Sequence, residues 1–445
     1  MRMGEFDPVG TGGQRRIAVV GGGIAGLGTA WLLSPRHQVT LFEAAEQVGG
    51  HTNTIDVTVD GIQHPVDTGF LVFNSRTYPH LCALFDHLGV SSVASEMSFG
   101  VSLESPAIEW AGSDLGTIFA QRANLVRPAF LGMLRDIMRF NRVTTRMAAE
   151  GRVPELCLGE YLERERYGAA FRDWYLLPMA AAIWSCPTRT MLAYPLATFV
   201  RFCHNHGLLQ VFDRPQWRTV RGGGRTYVAR MAASLADVRT SSPVRRVDRD
   251  EFGVWIHSAA GAEHFDEVVF ACHSDQTLAL LGSKASADER RVLGAVNYQA
   301  NVAVVHTDVA LLPKRRKVWS AWNYLAGAGS GDERPVSVSY LINRLQPLPF
   351  ETQVVVSLNP FRPPRADRIL RTIHYAHPVF DQAAIDAQRA LPCIQGRHHS
   401  WFAGAWTGYG FHEDGLRSAV AVAESLGAQI PWDADRVGVR AGAGA

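Results

Sequence analysis

The sequence lacks a surplus of charge: 44 Lys and Arg face 42 Asp and Glu, a formal net charge of +2 over 445 residues. Bulk charge therefore gives no reason to expect nucleic acid as a partner. Long apolar runs are also missing. No stretch reaches the roughly 18 apolar residues that span a bilayer, and residues 1–14 are Gly-rich without the apolar core of a secretory leader. The expectation is a cytoplasmic protein, soluble or peripheral to the inner face of a membrane. The six cysteines, Cys82, Cys157, Cys186, Cys203, Cys272 and Cys393, contain no Cys-x-x-Cys pair, which fits reduced thiols and no disulfides. Cys203-His204-Asn205-His206 has no second cluster at ligand spacing, and His398-His399 and His374 with His377 read as structural, so no metal is expected. With 47% hydrophobic and 19% charged residues the chain is neither disordered nor fibrous, and its length suits two domains with ample core.

What is present centres on Arg16-Ile17-Ala18-Val19-Val20-Gly21-Gly22-Gly23-Ile24-Ala25-Gly26-Leu27. Ile17 to Val20 predicts a buried parallel strand, and from Leu27 the residues Ala30, Trp31 and Leu33 fall at helical spacing. Gly21 permits a tight turn, Gly23 lets a pyrophosphate approach the backbone at the helix N-terminus, and Gly26 lets the helix pack close to the strand. By itself this fingerprint allows NAD or FAD. Val39 to Glu43 adds a second strand ending in an acid 22 residues after Gly21, where a carboxylate accepts hydrogen bonds from a ribose and disfavours NADP. Gly49-Gly50 then reads either as a second backbone approach to the pyrophosphate, with His51 or Thr52 adding a donor, or as an ordinary turn. Asp60-Gly61 is a hairpin signal.

Residues 76–214 have a helical, aromatic texture. Within Pro128 to Met147, Arg135, Arg139, Arg142 and Arg146 share one helical face, opposite Phe130, Met133, Leu134, Ile137 and Phe140. That pattern fits peripheral contact with an anionic membrane through residues 128–147, or a solvated surface helix. The run from Trp174 to Trp184 either lines a pocket or is core. After Gly222-Gly223-Gly224 a helix is expected from about Thr226, then short strands at 243–247, 253–257 and 265–271. Strands at 297–307, 336–344 and 353–358 predict an antiparallel sheet. A strand at 399–404 and a helix from Gly415 to Leu426 close the folded part. The resulting division is a nucleotide-binding domain from 15–75, 215–285 and 396–430, and a substrate domain from 76–214 and 286–395. Residues 1–14 and 431–445 are expected to be flexible tails.

Gly50-His51-Thr52-Asn53-Thr54, Val66-Asp67-Thr68-Gly69-Phe70, Arg214 to Val220, Phe270-Ala271-Cys272-His273, Trp401-Phe402-Ala403-Gly404 and Gly408 to Gly415 join the Gly21 fingerprint and Glu43. Together they resemble the flavin amine oxidase and phytoene desaturase superfamily. They look most like a bacterial subgroup of FAD-binding oxidoreductases that accompany methyltransferases resembling cyclopropane-fatty-acid synthases. The resemblance implies an α/β fold, a Rossmann-type, glutathione-reductase-like FAD-binding domain interrupted by an α+β substrate domain. It implies FAD, with Gly21, Gly23, Ile24, Ala25, Gly26 and Glu43 on its ADP half. Gly50, His51 and Thr52 would lie near the pyrophosphate, Gly69, Phe70 and Val244 would add contacts, and Gly404, Asp414, Gly415 and Leu416 would face the flavin. The wider superfamily has Arg where this chain has His51, and an acid where it has Ala405. With no cysteine near the C-terminal motif, the FAD should be non-covalent.

The leading expectation is an FAD-dependent dehydrogenase or desaturase acting on an apolar, acyl-type fatty acid or lipid. His412 and Glu413 are candidate catalytic groups near the flavin, and Trp184, Trp217 and Tyr340 candidate pocket residues. The alternatives are an amine oxidase, a double-bond isomerase, and a flavin-bound accessory protein of a lipid methyltransferase partner. Amine oxidases often hold a lysine over the flavin, and the nearest candidates here, Lys314 and Lys317, lie in a charged loop.

Overall fold

The computed structural model describes residues 13–184, 191–209, 215–329 and 334–432. Cys186, Arg214 and most of both expected tails lie outside the described residues. The run beginning at Ile17 forms the strand Arg16–Val20, whose last four residues are buried. Such a run has no polar face to turn to solvent, so it sits inside a sheet covered on both sides. Its neighbours are Gln38–Phe42 on one side and Glu267–Phe270 on the other, both parallel. Asp237–Arg239 and Ser400–Phe402 complete five parallel strands in the order 400–402, 267–270, 16–20, 38–42, 237–239. Alternate residues serve opposite faces. Ile17, Val19 and Leu41 share a core with Leu27 and Leu416, whereas Ala18, Val20 and Phe42 meet Val247, Ile256 and Phe265 of a three-stranded antiparallel layer. The expected α/β fold class is the one observed.

The second sheet has seven strands, in the order Ile369–Val379, Asn297–His306, Val355–Leu358, Val336–Leu341, Trp322–Ala326, Phe99–Leu103, Ile108–Ala111. It is larger than expected and not wholly antiparallel, because Trp322–Ala326 runs parallel to Phe99–Leu103. Those last two strands come from the stretch whose composition reads as helical; at four and five residues they are too short for alternation to stand out among the neighbouring aromatics. The long helix Pro128–Glu150 follows, started by a proline and stopped by Gly151 in the left-handed region. Phe130, Met133 and Phe140 are its buried side.

Two expectations need correction. The four arginines of this helix do not form one free face. Arg139 turns inward, donating to the carbonyl of Glu165 at 3.0 Å with its guanidinium 3.8 Å from the Tyr167 ring centre. An arginine that finds a carbonyl and an aromatic face together gains both contacts at once. Arg135, Arg142 and Arg146 remain exposed. Nor is residue 432 part of a loose tail. Trp432 stacks on Trp31 at 6.0 Å and its indole donates to His80 Nδ1 at 3.3 Å.

Candidate active site

The carboxyl ends of the parallel strands open into a cavity of about 1720 Å³. Single drug-sized ligands occupy pockets on the order of 300–1,000 Å³, so this one has room for a dinucleotide and a second molecule. At one end lies the turn Gly21–Gly23 and the helix Ile24–Leu33. Gly26 admits no side chain, since a Cβ there would lie 1.8 Å from the carbonyl oxygen of Gly21. Gly23 is the opposite case: a Cβ there would meet no protein atom within 4 Å, which leaves that flank open to the cavity. The helix has neither a side-chain cap nor an acid in its first turn. Its first N–H groups and the positive end of its dipole are thus free for an anion.

Glu43, just beyond the second strand, clamps this turn. Its Oε2 accepts from the Gly22 N–H and its Oε1 from the Ala45 N–H, both at 2.7 Å. Each oxygen keeps a lone pair for a ribose hydroxyl. Gly49 donates to the Gly22 carbonyl at 2.7 Å, and Gly50, with a φ of +57°, lies so close that a Cβ would be 3.1 Å from Gly23 Cα. Val244 and Pro243 line the cavity beyond Glu43.

Elsewhere along the cavity are Gly69, Phe70, Gly404 and His412. His412 stacks on Phe70 with ring centres 4.0 Å apart and planes 10° off parallel. Its Nε2 is bonded to the Tyr227 hydroxyl at 2.5 Å and to Thr52 Oγ1 at 3.0 Å. Burial pushes its pKa down to about 3, so the imidazole is neutral. Thr52 therefore spends its hydroxyl on Tyr227 and His412, and its side chain is not part of the cavity wall.

Four other candidates next to His412 in sequence also sit behind the wall. Glu413 Oε1 and Oε2 accept from the N–H groups of His80 and Leu81, at 2.9 and 3.0 Å, at the start of the helix Pro79–Leu88. That helix is preceded by Tyr78, which offers no capping side chain, so Glu413 supplies the acceptors from outside. Asp414 accepts from the N–H groups of Tyr409 and Phe411 and pairs with Arg417. Gly415 packs against Ile24, where a Cβ would lie 2.8 Å from Ile24 Cγ2, and Leu416 is fully buried in the core. The physical reason is rotation: successive residues of a helix point about 100° apart, so of the run His412 to Leu416 only His412 reaches the cavity.

Several residues at the site carry no signal in the sequence taken alone. Asp67 is buried, accepting from Thr54, from the Gly224 N–H at 2.9 Å and from Gln346 Nε2 at 2.6 Å. It ties together three distant segments, and burial raises its pKa to about 6. His377, read as structural in the sequence, instead lines the cavity with His51 and His273. The His51 ring lies 5.1 Å from His377, 6.5 Å from His273 and 4.9 Å from Tyr375. Burial and then mutual repulsion push His51 down to about 3, and burial first brings His377 to about 4. The signal was there in part, since His273 closes the quoted motif at the end of the third strand.

The remaining wall is mostly apolar and aromatic, with Ser95, Ser98, His206 and Gln216 among its polar members. Trp110, Tyr175, Trp184, Trp217, Trp322 and Tyr340 all line it, including the three pocket residues expected from sequence. Among the described lining residues there is no lysine or arginine. Lys314 and Lys317 are exposed and away from it. Glu96 is paired with Arg344 at 2.7 Å and Asp114 caps the helix Leu115–Ile118, so both acids near the opening are already engaged.

A family model described as flavin containing amine oxidoreductase matches residues 24–307, well over half of the chain. The chain belongs to this family. FAD is therefore the cofactor to be housed, and the residues present fit it: an open, uncapped helix start, a carboxylate with free lone pairs, and a cavity of dinucleotide size. A carotenoid phi-ring synthase from Streptomyces griseus is 26% identical over 335 residues, 68% of this chain and 60% of the relative, so the chain spans about 60% of that relative's length. An L-amino-acid oxidase from Pseudechis australis is 50% identical over 52 residues, 12% of this chain and 10% of the relative. Among solved structures, the CLA-producing fatty acid isomerase from P. acnes superposes with a TM-score of 0.66 at 16% identity, covering 92% of this chain and 98% of that one. Cyclohexylamine oxidase from Brevibacterium oxydans gives 0.66 at 15% identity, with 93% and 99% covered. At such identities these likenesses are of fold alone. Among the described residues, no helix of this flavin-containing oxidoreductase is long and apolar enough to cross a membrane.

Proposed function

We propose that the protein is an FAD-dependent dehydrogenase or desaturase acting on an apolar, acyl-type substrate. The observation that carries this reading is the aromatic chamber sharing one cavity with the glycine turn, its described walls free of lysine and arginine and its two nearby acids already engaged. FAD supplies the two-electron acceptor when bound. The chain's own residues hold and orient. The helix start and Glu43 would fix the dinucleotide half, and Phe70 with neutral His412 would form a flat, stacked flank. Trp110, Trp184, Trp322 and Tyr340 would hold an acyl chain by area and keep water out. His412 is too weak a base at about 3 to serve as a strong proton acceptor, so its part is to position.

Isomerisation is a second reading, favoured by the likeness in fold to a solved fatty acid isomerase. Product mass separates the two. Mass spectrometry of total lipids from cells with and without the protein should show an acyl species lighter by two hydrogens. A product of unchanged mass would move the assignment to isomerase. Peroxide release from simple amines with untouched lipids would overturn both.

A further inference from the structure

Five large apolar side chains are exposed along one short stretch of chain: Leu115 at 74%, Leu125 at 52%, Val126 at 82%, Leu131 at 43% and Met138 at 59%. Leu115 is also part of the cavity lining, so the patch starts at the cavity's own opening. The platform beneath it is firm. Phe130 packs 6.1 Å from Phe119 and 6.2 Å from Trp110, and Trp110 is a chamber wall. On the helix Pro128–Glu150 the outward residues Leu131, Arg135, Met138 and Arg142 follow one another at helical spacing, apolar and cationic side chains alternating, and Arg146 continues the row. Arg122 is exposed beside Leu125, while Asp136, the acid within this stripe, is buried and accepts from the Gly168 N–H. Arg135 reaches to 3.9 Å of Asp136 Oδ1 yet keeps 82% of its side chain exposed. A solvated surface helix would not expose leucine and methionine between its arginines, and a purely apolar protein interface would not be studded with exposed guanidinium groups. Both features suit the boundary between headgroups and acyl chains of an anionic bilayer.

We propose that this patch docks on an anionic lipid surface, with the apolar side chains inserted and Arg122, Arg135 and Arg142 on the headgroups, so that the opening at Leu115 meets the acyl region. The proposal rests on the acyl reading only for its purpose, since docking itself needs no turnover. The test is co-sedimentation of the FAD-loaded protein with phosphatidylcholine vesicles, with and without phosphatidylglycerol. The parent should sediment with the anionic vesicles and less so as salt rises. Each arginine near such a surface contributes about fivefold, so R135Q/R142Q should weaken binding by at least about tenfold. L125S/V126S should weaken it by a similar factor while the flavin spectrum and melting temperature stay unchanged. Phe252→Ser, a change at an exposed phenylalanine outside the patch, should leave binding unaltered. No sedimentation of the parent overturns the proposal, as does binding that L125S/V126S leaves intact, or a dimer in solution that this pair abolishes without vesicle binding. Turnover of detergent-dispersed acyl lipid, measured in parallel, reports on the acyl reading separately.

Discussion

Replacing Glu413 by glutamine tests whether this buried acid serves the fold or the chemistry. Both oxygens accept from the first turn of the helix Pro79–Leu88, at 2.9 and 3.0 Å. Glutamine keeps one acceptor and turns an NH₂ toward the other N–H, so one buried donor loses its partner at about 1–3 kcal/mol. Burial raises the Glu413 pKa from 4.5 to about 7. Between those values the folded protein holds a proton that the unfolded chain has released, so the parent loses stability as pH rises through that window, by about 3 kcal/mol in all. Glu413→Gln has no such slope. In thermal unfolding of the FAD-loaded protein the variant should therefore melt below the parent in mildly acid buffer and close the gap above neutrality. Asp67, also raised but not among the groups acting on Glu413, contributes equally to both proteins and cancels in the difference, whereas the charge of Asp414 helps to raise Glu413 and belongs to the same slope. Parallel pH profiles would refute the capping argument. An unchanged melting temperature with flavin reduction lost would return Glu413 to the catalytic group.

Two alanine substitutions in the glycine turn should part company. Gly26→Ala forces an overlap with the Gly21 carbonyl and should cost more than about 3 kcal/mol, seen as a large drop in apoprotein melting temperature. Gly23→Ala meets no protein atom, so the apoprotein should melt normally yet fail to retain FAD; a yellow Gly23→Ala protein would refute the placement of the cofactor. His51, His273 and His377 are held neutral in the free protein. A diphosphate beside them would favour protonation, so FAD affinity, read from flavin fluorescence, should rise as pH falls, and His51→Arg should flatten that dependence. Asp67→Asn can keep its oxygen on Thr54 and the Gly224 N–H but then turns its NH₂ toward Gln346 Nε2, donor against donor, and should cost about 2–4 kcal/mol in chemical unfolding, with no change in substrate preference.

The cofactor end of the molecule was legible because its chemistry is local. One contiguous stretch supplies strand, turn and helix, and backbone groups do the work, so residue type and spacing suffice. Glu43 belongs to the same logic. The wall beyond it was legible only as composition: Trp184, Trp217 and Tyr340 reach the cavity, yet an aromatic residue looks the same in sequence whether it faces a ligand or a core. Side-chain direction was beyond reach in the C-terminal motif, where His412 and Glu413 are neighbours in sequence and serve unrelated places. Asp67 and the gathering of His51, His273 and His377 depend on which strands end up adjacent, and that follows from the closing of two sheets rather than from any local pattern.

The order of strands in the parallel sheet also sets a timetable for synthesis. Its central strand is Arg16–Val20, yet one neighbour arrives at Glu267–Phe270 and the edge strand at Ser400–Phe402. At about 5–20 residues per second, a ribosome needs on the order of 20 to 80 s between the first strand and the last. For about two thirds of that interval the glycine turn exists without the strand Glu267–Phe270 and the Ala271 that packs against Gly21, and for the rest the edge strand is still missing. Closure of the parallel sheet thus waits for its last strand, and a chain that stops before Ser400–Phe402 leaves Glu267–Phe270 as an unpaired edge.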